Sequence, residues 1–206
     1  MASDVKGASR TQQTQATRRR IVDAAAELFI AEGYAATTLA QVARRAGVAV
    51  QTVYFHFGNK RTVLKEAVDV AAVGDDEPVA LLERPWLERV RAEPDPRLVI
   101  ELWLDNSRTI MERVGPIMRV VRDAAATDPE MAAQWKTNAE QRATAFGVLA
   151  QLLDDRAALR VPLDEATDIL CALLGLELHS VLVDRGWTSD RWQRWVTETL
   201  VATLLQ

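Results

Sequence analysis

Apolar residues recur at helical spacing along nearly the whole chain, and nowhere do they keep the strict alternation of a half-buried strand. Ile21, Ala24, Ala25, Leu28 and Phe29 form one stripe, which predicts a helix from about Thr17 to Glu32 that stops at Gly33. Leu39, Val42, Ala43 and Ala46 repeat the i, i+3, i+4, i+7 pattern of a second buried face. Thr37 and Thr38 precede it as N-cap hydroxyls, and Gly47 ends it. Val48 restarts an apolar face that runs through Val53 and Phe57. Gly58-Asn59 is a turn signal, after which Val63, Leu64, Ala67, Val68 and Ala71 line one side of a helix from about Lys60 to Val73.

The remainder also reads as helix. VALLERPWLERVRA (79–92) is interrupted by Pro85 and closed by PDP at 94–96. A long helix is expected from Arg97 to Arg113, with Val99, Trp103, Asn106 and Ile110 on one face. Gly115-Pro116 is expected to start another, to about Thr127, and Asp128-Pro129 a further one, to about Arg156. Asp164–Arg185 is nearly apolar on all sides between Ile169 and Val183, Gly186 stops it, and Ser189–Leu205 carries Trp192, Trp195, Val196, Leu200 and Leu204 as an amphipathic stripe. The expected fold is all-α. GDDEP (74–78) is the strongest linker signal, and the Ser/Thr/Gln-rich residues 1–16 read as a disordered arm. The division expected is an arm over 1–16, a small domain over 17–64, and a helical bundle over 65–206.

Charge is unevenly divided. The chain carries −4 overall, but its first 65 residues hold ten Lys/Arg against four Asp/Glu, a net of +6 that leaves −10 for the rest. A basic module joined to an acidic one fits nucleic-acid binding at one end. Arg18, Arg19 and Arg20 fall in the first turn of the expected first helix, where the dipole disfavours cations; the placement suggests a phosphate partner or a solvated basic turn. The single Cys171 sits in an apolar run and can form no internal disulfide, which suits a core thiol in a reducing cytoplasm. Apolar runs reach only about eight residues against the roughly 20 of a membrane span, so no membrane association is expected.

The third predicted helix is small and polar at its start (Ala49, Val50, Gln51, Thr52) and aromatic at its end (Tyr54, Phe55, His56, Phe57). That is the profile of a recognition helix, slim enough to enter a major groove. Gln51 is the best base reader, since its amide can pair with adenine N6 and N7, while Val50 and Thr52 can meet a thymine methyl. Arg44 and Arg45 flank the turn, within reach of the DNA backbone. Phe55 and Phe57 cannot both be exposed, and Phe57 is the better core residue.

Residues 17–64 resemble the DNA-binding domain of the tetracycline-repressor (TetR) family of transcriptional regulators. The matching residues are Ile21, Ala24, Ala25, Leu28, Phe29, Gly33-Tyr34, Thr37-Thr38, Val42-Ala43, Ala46-Gly47-Val48, Thr52-Val53-Tyr54, His56-Phe57, Asn59-Lys60 and Leu64. Ala49 departs from it, standing where the family often has Ser. The resemblance implies that Tyr54, His56 and Lys60 grip phosphates and that Thr38 adds a contact from the preceding helix. It also implies a homodimer on a palindromic double-stranded operator, joined through residues 164–185 and 189–205. Two recognition helices must meet half-sites about one DNA turn apart, ~34–36 Å.

The bundle is then expected to bind a small apolar or aromatic effector, with Trp103, Asn106, Ile110, Met118, Phe146 and Glu177 as candidate ligand contacts. Polar residues on apolar stripes support this, Asn106 on one helix and Glu177 and His179 on another; core or dimer-interface packing is the alternative for each. Effector binding would tilt the helix after the DNA domain and spoil the half-site register, which makes a ligand-released repressor. A ligand-independent or activating regulator is the alternative. An enzyme is not expected. The only histidines, His56 and His179, follow Val53 and Leu176 at the spacing where a di-iron site needs Glu, and no zinc set, phosphate loop or Gly-x-Ser-x-Gly occurs, so no metal and no cofactor are expected.

Overall fold

The computed structural model describes residues 2–74, 80–156 and 158–206, with side chains from Gln12 onward. Its described residues form ten α-helices, one short 3-10 turn (Leu81–Glu83) and no strand beyond an isolated antiparallel bridge between Leu159 and Leu205. The chain folds into two units, residues 1–76 with 116–135, and residues 77–115 with 136–206.

In the first unit, α1 (Ala2–Glu32) packs on α2 (Leu39–Ala46) and α4 (Lys60–Val73), with α3 (Val50–Phe57) set against α2 and α4. Ile21, Ala25, Phe29, Val42, Val53 and Val63 are fully buried, so the stripes read from the sequence converge on one core. The caps explain where the short helices stop and start. Thr38 and Gln41 form a reciprocal capping box at α2, and Gly47, at φ 66°, closes that helix in the left-handed region. Ala49 precedes α3 with no side-chain cap, whereas Asn59 Oδ1 accepts the Thr62 amide at 3.0 Å to start α4. Thr37 is wholly buried, and its hydroxyl donates to the carbonyls of Gly33 (2.8 Å) and Leu28 (3.3 Å), tying the end of α1 to the start of α2.

Several boundaries differ from the sequence reading. The helix begins at Ala2 rather than near Thr17, so the segment read as a disordered arm is continuous with α1. Residues 2–16 are polar all round but hold no proline and only one glycine, Gly7, so nothing in them forces a helix to end. Pro85 does not interrupt its helix. It opens α5 (Pro85–Ala92) at a first-turn position, where its missing N–H costs nothing. Conversely, Gly115-Pro116 does not separate two helices, because α6 runs unbroken from Pro96 to Ala125. The proline removes only the bond to the carbonyl four residues back, on Glu112, which is exposed to water. After α7 (Pro129–Asp154), the apolar segment read as one helix is two, α8 (Leu163–Leu173) and α9 (Leu176–Asp184). Gly175 breaks it with extended backbone; a Cβ there would come within 2.9 Å of the Cys171 carbonyl. α10 (Ser189–Leu204) closes the chain, capped by Thr188 through the Arg191 amide. The linker signal at 74–78 lies, apart from Gly74, outside the described residues.

The core of the second unit includes Leu87, Val99, Ile100, Leu104, Leu149, Leu153, Leu170, Trp192 and Leu200, each at most marginally exposed. Arg156 crosses between segments there, donating to the carbonyls of Arg91 (2.9 Å) and Glu93 (2.6 Å). Cys171 is half-buried rather than in the core as expected, and burial pushes its thiol pKa up.

Candidate nucleic-acid interface

The outward face of α3 presents Gln51, Tyr54 and Phe55 to solvent while Val53 and Phe57 anchor it from beneath. This split follows from the sequence, since 53 and 57 lie one turn apart on the same side of the helix. Val50 and Thr52 are half-buried at the flanks. Tyr54 is 54% exposed, which leaves its hydroxyl available to a partner. His56 is half-buried, with its ring edge-on to Phe55 (centroids 5.3 Å) and tilted against Phe57 (6.1 Å). Its carbonyl also receives Arg18 Nη1 at 3.5 Å.

The cations expected at this surface divide into two groups. Arg44 is exposed at the end of α2, next to the turn. Arg45 is exposed as well but pairs with Glu27 of α1 (Nη2–Oε2 2.5 Å), an exchangeable surface bridge that holds little energy. Lys60 departs from its expected role as a phosphate clamp. Its ammonium turns inward, donating to the carbonyls of Tyr34 (2.6 Å), Thr37 (2.9 Å) and Ala35 (3.5 Å), and sits 4.2 Å over the Tyr34 ring. The loop between α1 and α2 leaves these carbonyls without helical donors, and Lys60 supplies them; burial lowers its pKa, and Asp128 opposes that. Thr38, likewise, spends its hydroxyl on the α2 capping box, although it remains exposed.

Arg18 and Arg19 also differ from expectation. With α1 beginning at Ala2 they are not in its first turn, so the dipole argument for a phosphate partner lapses. Arg18 grips Glu66 of α4 with two nitrogens (3.0 and 2.8 Å) and lies 4.7 Å over the Phe57 ring, fixing the far side of α3. Arg19 pairs with Asp23 (2.9 Å); Arg20 is exposed. Sequence reasoning had no means to find the Arg18–Glu66 pair, since 48 residues separate its members.

A second charged cluster ties α4 to the start of α7 within the same unit. Arg61 meets Glu130 (2.6 Å) and Asp128 (3.5 Å). Asp128 Oδ1 also accepts the amides of Glu130 (2.9 Å) and Met131 (3.3 Å), capping α7. Burial pushes the Asp128 carboxyl up, but these two amides and Arg61 outweigh it and hold it below the usual carboxylate range. Tyr34, whose ring carries Lys60, has its pKa raised by burial and then by Asp128.

The expected effector contacts fall on three helices, α6, α7 and α9. Trp103 is buried, its ring edge-on to Trp86 at 5.1 Å; Asn106 and Ile110 are half-buried further along α6; and Phe146 is buried on α7. Met118 belongs to the first unit rather than to the bundle, and Glu177 is exposed, with its charge acting on Arg142 of α7. Met118 lies in the first unit because that unit takes in residues 116–135, and the break at Gly175 resets the helical phase of α9 ahead of Glu177. His179, read as a ligand or interface group, is buried against Trp192 with ring centroids 5.0 Å apart. A cleft of ≈ 380 Å³ lies elsewhere, between α6 and α10, lined by charged and polar groups including Arg97, Glu101, Asp190 and Glu198. Its walls are cross-tied by Arg97–Glu198 (2.5 Å) and by Gln193–Asp105 (2.5 Å).

Residues 21–67 match the model for bacterial regulatory proteins of the tetR family. The N-terminal domain belongs to the TetR family. Within the same stretch, the chain is 49% identical over 53 residues to the HTH-type transcriptional regulator SrpR of Pseudomonas putida, covering 26% of this chain and 25% of SrpR. It is 40% identical over 58 residues to the HTH-type transcriptional regulator TtgR, also of Pseudomonas putida, 28% of either chain. The match thus spans about a quarter of these relatives' lengths. The fold extends further than the sequence match. NalD, the secondary repressor of the MexAB-OprM multidrug efflux pump in Pseudomonas aeruginosa, aligns over 95% of this chain and 98% of its own, with TM-score 0.69 and 24% identity. A Saccharomonospora viridis protein solved in complex with choline aligns over 92% and 97%, with TM-score 0.69 and 18% identity. The TetR-type domain followed by a helical bundle is therefore the architecture of the whole chain.

The inward Lys60 makes a specific prediction. Lys60→Met removes a charged donor from three carbonyls, which should cost about 1–2 kcal/mol after discounting for partial exposure. Urea unfolding should show this as a lower midpoint at unchanged slope. The slope of log affinity for DNA against log salt should stay that of wild type. A slope shallower by about one would return Lys60 to the phosphate backbone.

Proposed function

We propose that the chain is a sequence-specific DNA-binding transcriptional regulator, a repressor that binds a palindromic operator as a homodimer. The observation that carries this reading is α3 itself, a TetR-type recognition helix anchored by Val53 and Phe57 with Gln51 and Tyr54 facing outward. Gln51 reads base edges, Thr52 and Val50 flank it, and Tyr54, His56 and Arg44 hold the phosphate backbone. Two copies join through 164–185 and 189–205, because one helix alone reads too few base pairs and a twofold axis matches two half-sites.

The bundle binds a small apolar or aromatic effector near Trp103, Asn106, Ile110 and Phe146, and the ligand shifts the spacing of the two recognition helices. The choline held by one structural neighbour supports a small-molecule role for this fold. Couplings of this kind are typically 1–3 kcal/mol, and emptying an operator requires the effector to favour the released state by several. The protein acts on DNA in the cytoplasm.

The test is selection of duplexes from the source genome at about 0.15 M salt, with wild type and Tyr54→Ala in parallel. Wild type is expected to enrich one palindrome and the variant to lose it. Enrichment of the same site by both proteins, or of no site by wild type, would sink the recognition-helix assignment. Tryptophan fluorescence against a metabolite panel then separates a ligand-released repressor, whose emission responds, from a ligand-independent one.

A further inference from the structure

Phe55 is the most solvent-exposed of the large apolar side chains described, at 85%, and it stands on the one helix proposed to enter the groove. Its position on α3 is informative. At about 100° per residue, Val53, Phe57 and Val50 cluster on one side of the helix, and Phe55 falls about 180° from the centre of that cluster. It therefore lies between Gln51 and Thr52 in azimuth, one turn beyond Gln51. Turning the Gln51–Thr52 side of α3 toward base edges therefore turns Phe55 toward the DNA as well. A phenyl ring has no donor or acceptor for a phosphate or for a base amide. The apolar feature of a major groove is the C5-methyl group of thymine. The ring is also braced for such a contact, with the His56 imidazole edge-on at 5.3 Å.

We propose that Phe55 reads a thymine methyl in each half-site, one α-helical turn (about 5.4 Å) beyond the base pair read by Gln51. This rests on the reading of α3 as a recognition helix. The partner is fixed by chemistry, since a carbon ring amid polar groove-facing neighbours selects the one carbon substituent the groove offers.

The experiment uses the full chain and the duplex that wild type selects from a random library. Each thymine is replaced in turn by deoxyuridine, which removes the methyl and nothing else. Affinities are measured by fluorescence anisotropy for wild type, Phe55→Ala and Phe55→Leu. One symmetric pair of positions is expected to weaken wild type by about fourfold per methyl, the value of one buried carbon. The same replacements should leave Phe55→Ala unchanged, and Phe55→Leu should keep part of the effect. Because Phe55 is exposed, its variants are expected to melt as wild type does.

A flat uracil scan for a wild type that still selects its duplex overturns this proposal alone. So does a uracil penalty that Phe55→Ala shares in full, which would assign the methyl to another side chain. If Phe55→Ala weakens every duplex equally with no uracil effect in wild type, the ring packs on sugar or phosphodiester and reads nothing. A wild type that selects no duplex overturns both this proposal and the reading of α3 beneath it.

Discussion

Phe29→Ala is expected to destabilise the N-terminal unit by about 3–5 kcal/mol and to abolish DNA binding at 37 °C. Phe29 is wholly buried near the end of α1, where its ring meets Tyr34 at 5.9 Å and its carbonyl accepts the Gly33 amide at 2.9 Å. Ile21, Ala25, Val42, Val53 and Val63 are buried as completely in the same unit. Removing a phenyl ring from so closed a core leaves a cavity as well as a lost transfer energy. Tyr34 is the platform for Lys60, so the loop that Lys60 supports loses a neighbour too. Domains of this size are held by only about 5–15 kcal/mol, so the loss is a large fraction of the total. Urea unfolding followed by far-UV circular dichroism should show an early transition absent from wild type. A variant that keeps wild-type stability would mean that the space left by the ring is refilled by neighbours.

Trp192→Ala should cost the bundle a similar ~3–5 kcal/mol, yet Trp192→Phe should cost less than about 1 kcal/mol. Trp192 is fully buried on α10, with its ring edge-on to His179. Its indole Nε1–H has no hydrogen-bond partner among the described residues. A buried donor left unsatisfied costs about 1–3 kcal/mol, and phenylalanine removes that cost while losing part of the ring volume. Alanine removes the same donor, but its far larger volume loss outweighs that relief. Paired urea melts of the two variants decide it. A Trp192→Phe loss well above about 1 kcal/mol would show that the donor costs nothing in the folded protein, as when a water occupies the site.

The N-terminal domain was legible because each of its signals is local. The Leu39–Val42–Ala43–Ala46 stripe, Gly47 and the Gly58-Asn59 turn place three helices within a residue or so of where the structure has them. Phe57 went to the core and Phe55 to solvent, as the choice between them required. What escaped was set by residues distant in sequence or by exceptions to breaker rules. Lys60 reads as a phosphate ligand until the Tyr34–Thr37 carbonyls are seen beneath it, and Arg18 reads as a free cation until Glu66 is found beside it. Pro116 looks like a helix boundary because its ring usually clashes with the preceding turn, and α6 absorbs it. Gly175 looks like any glycine in an apolar run, although it is the point at which α8 and α9 part. The effector contacts were the least legible, because an apolar stripe carries the same residues whether it lines a pocket or a core.

The unit that carries α3 is built from two separate stretches of chain. Residues 116–135 belong to it, and Arg61 is bound to Asp128 and Glu130 across more than sixty residues of sequence. The exchange of parts among regulators is therefore not free at the end of α4. A hybrid joined there would bring a foreign α6–α7 corner to Arg61 and Tyr34 unless that corner were transplanted with the helices it braces. The natural crossover points are a matched set of three, one after α4, one within α6 and one within α7.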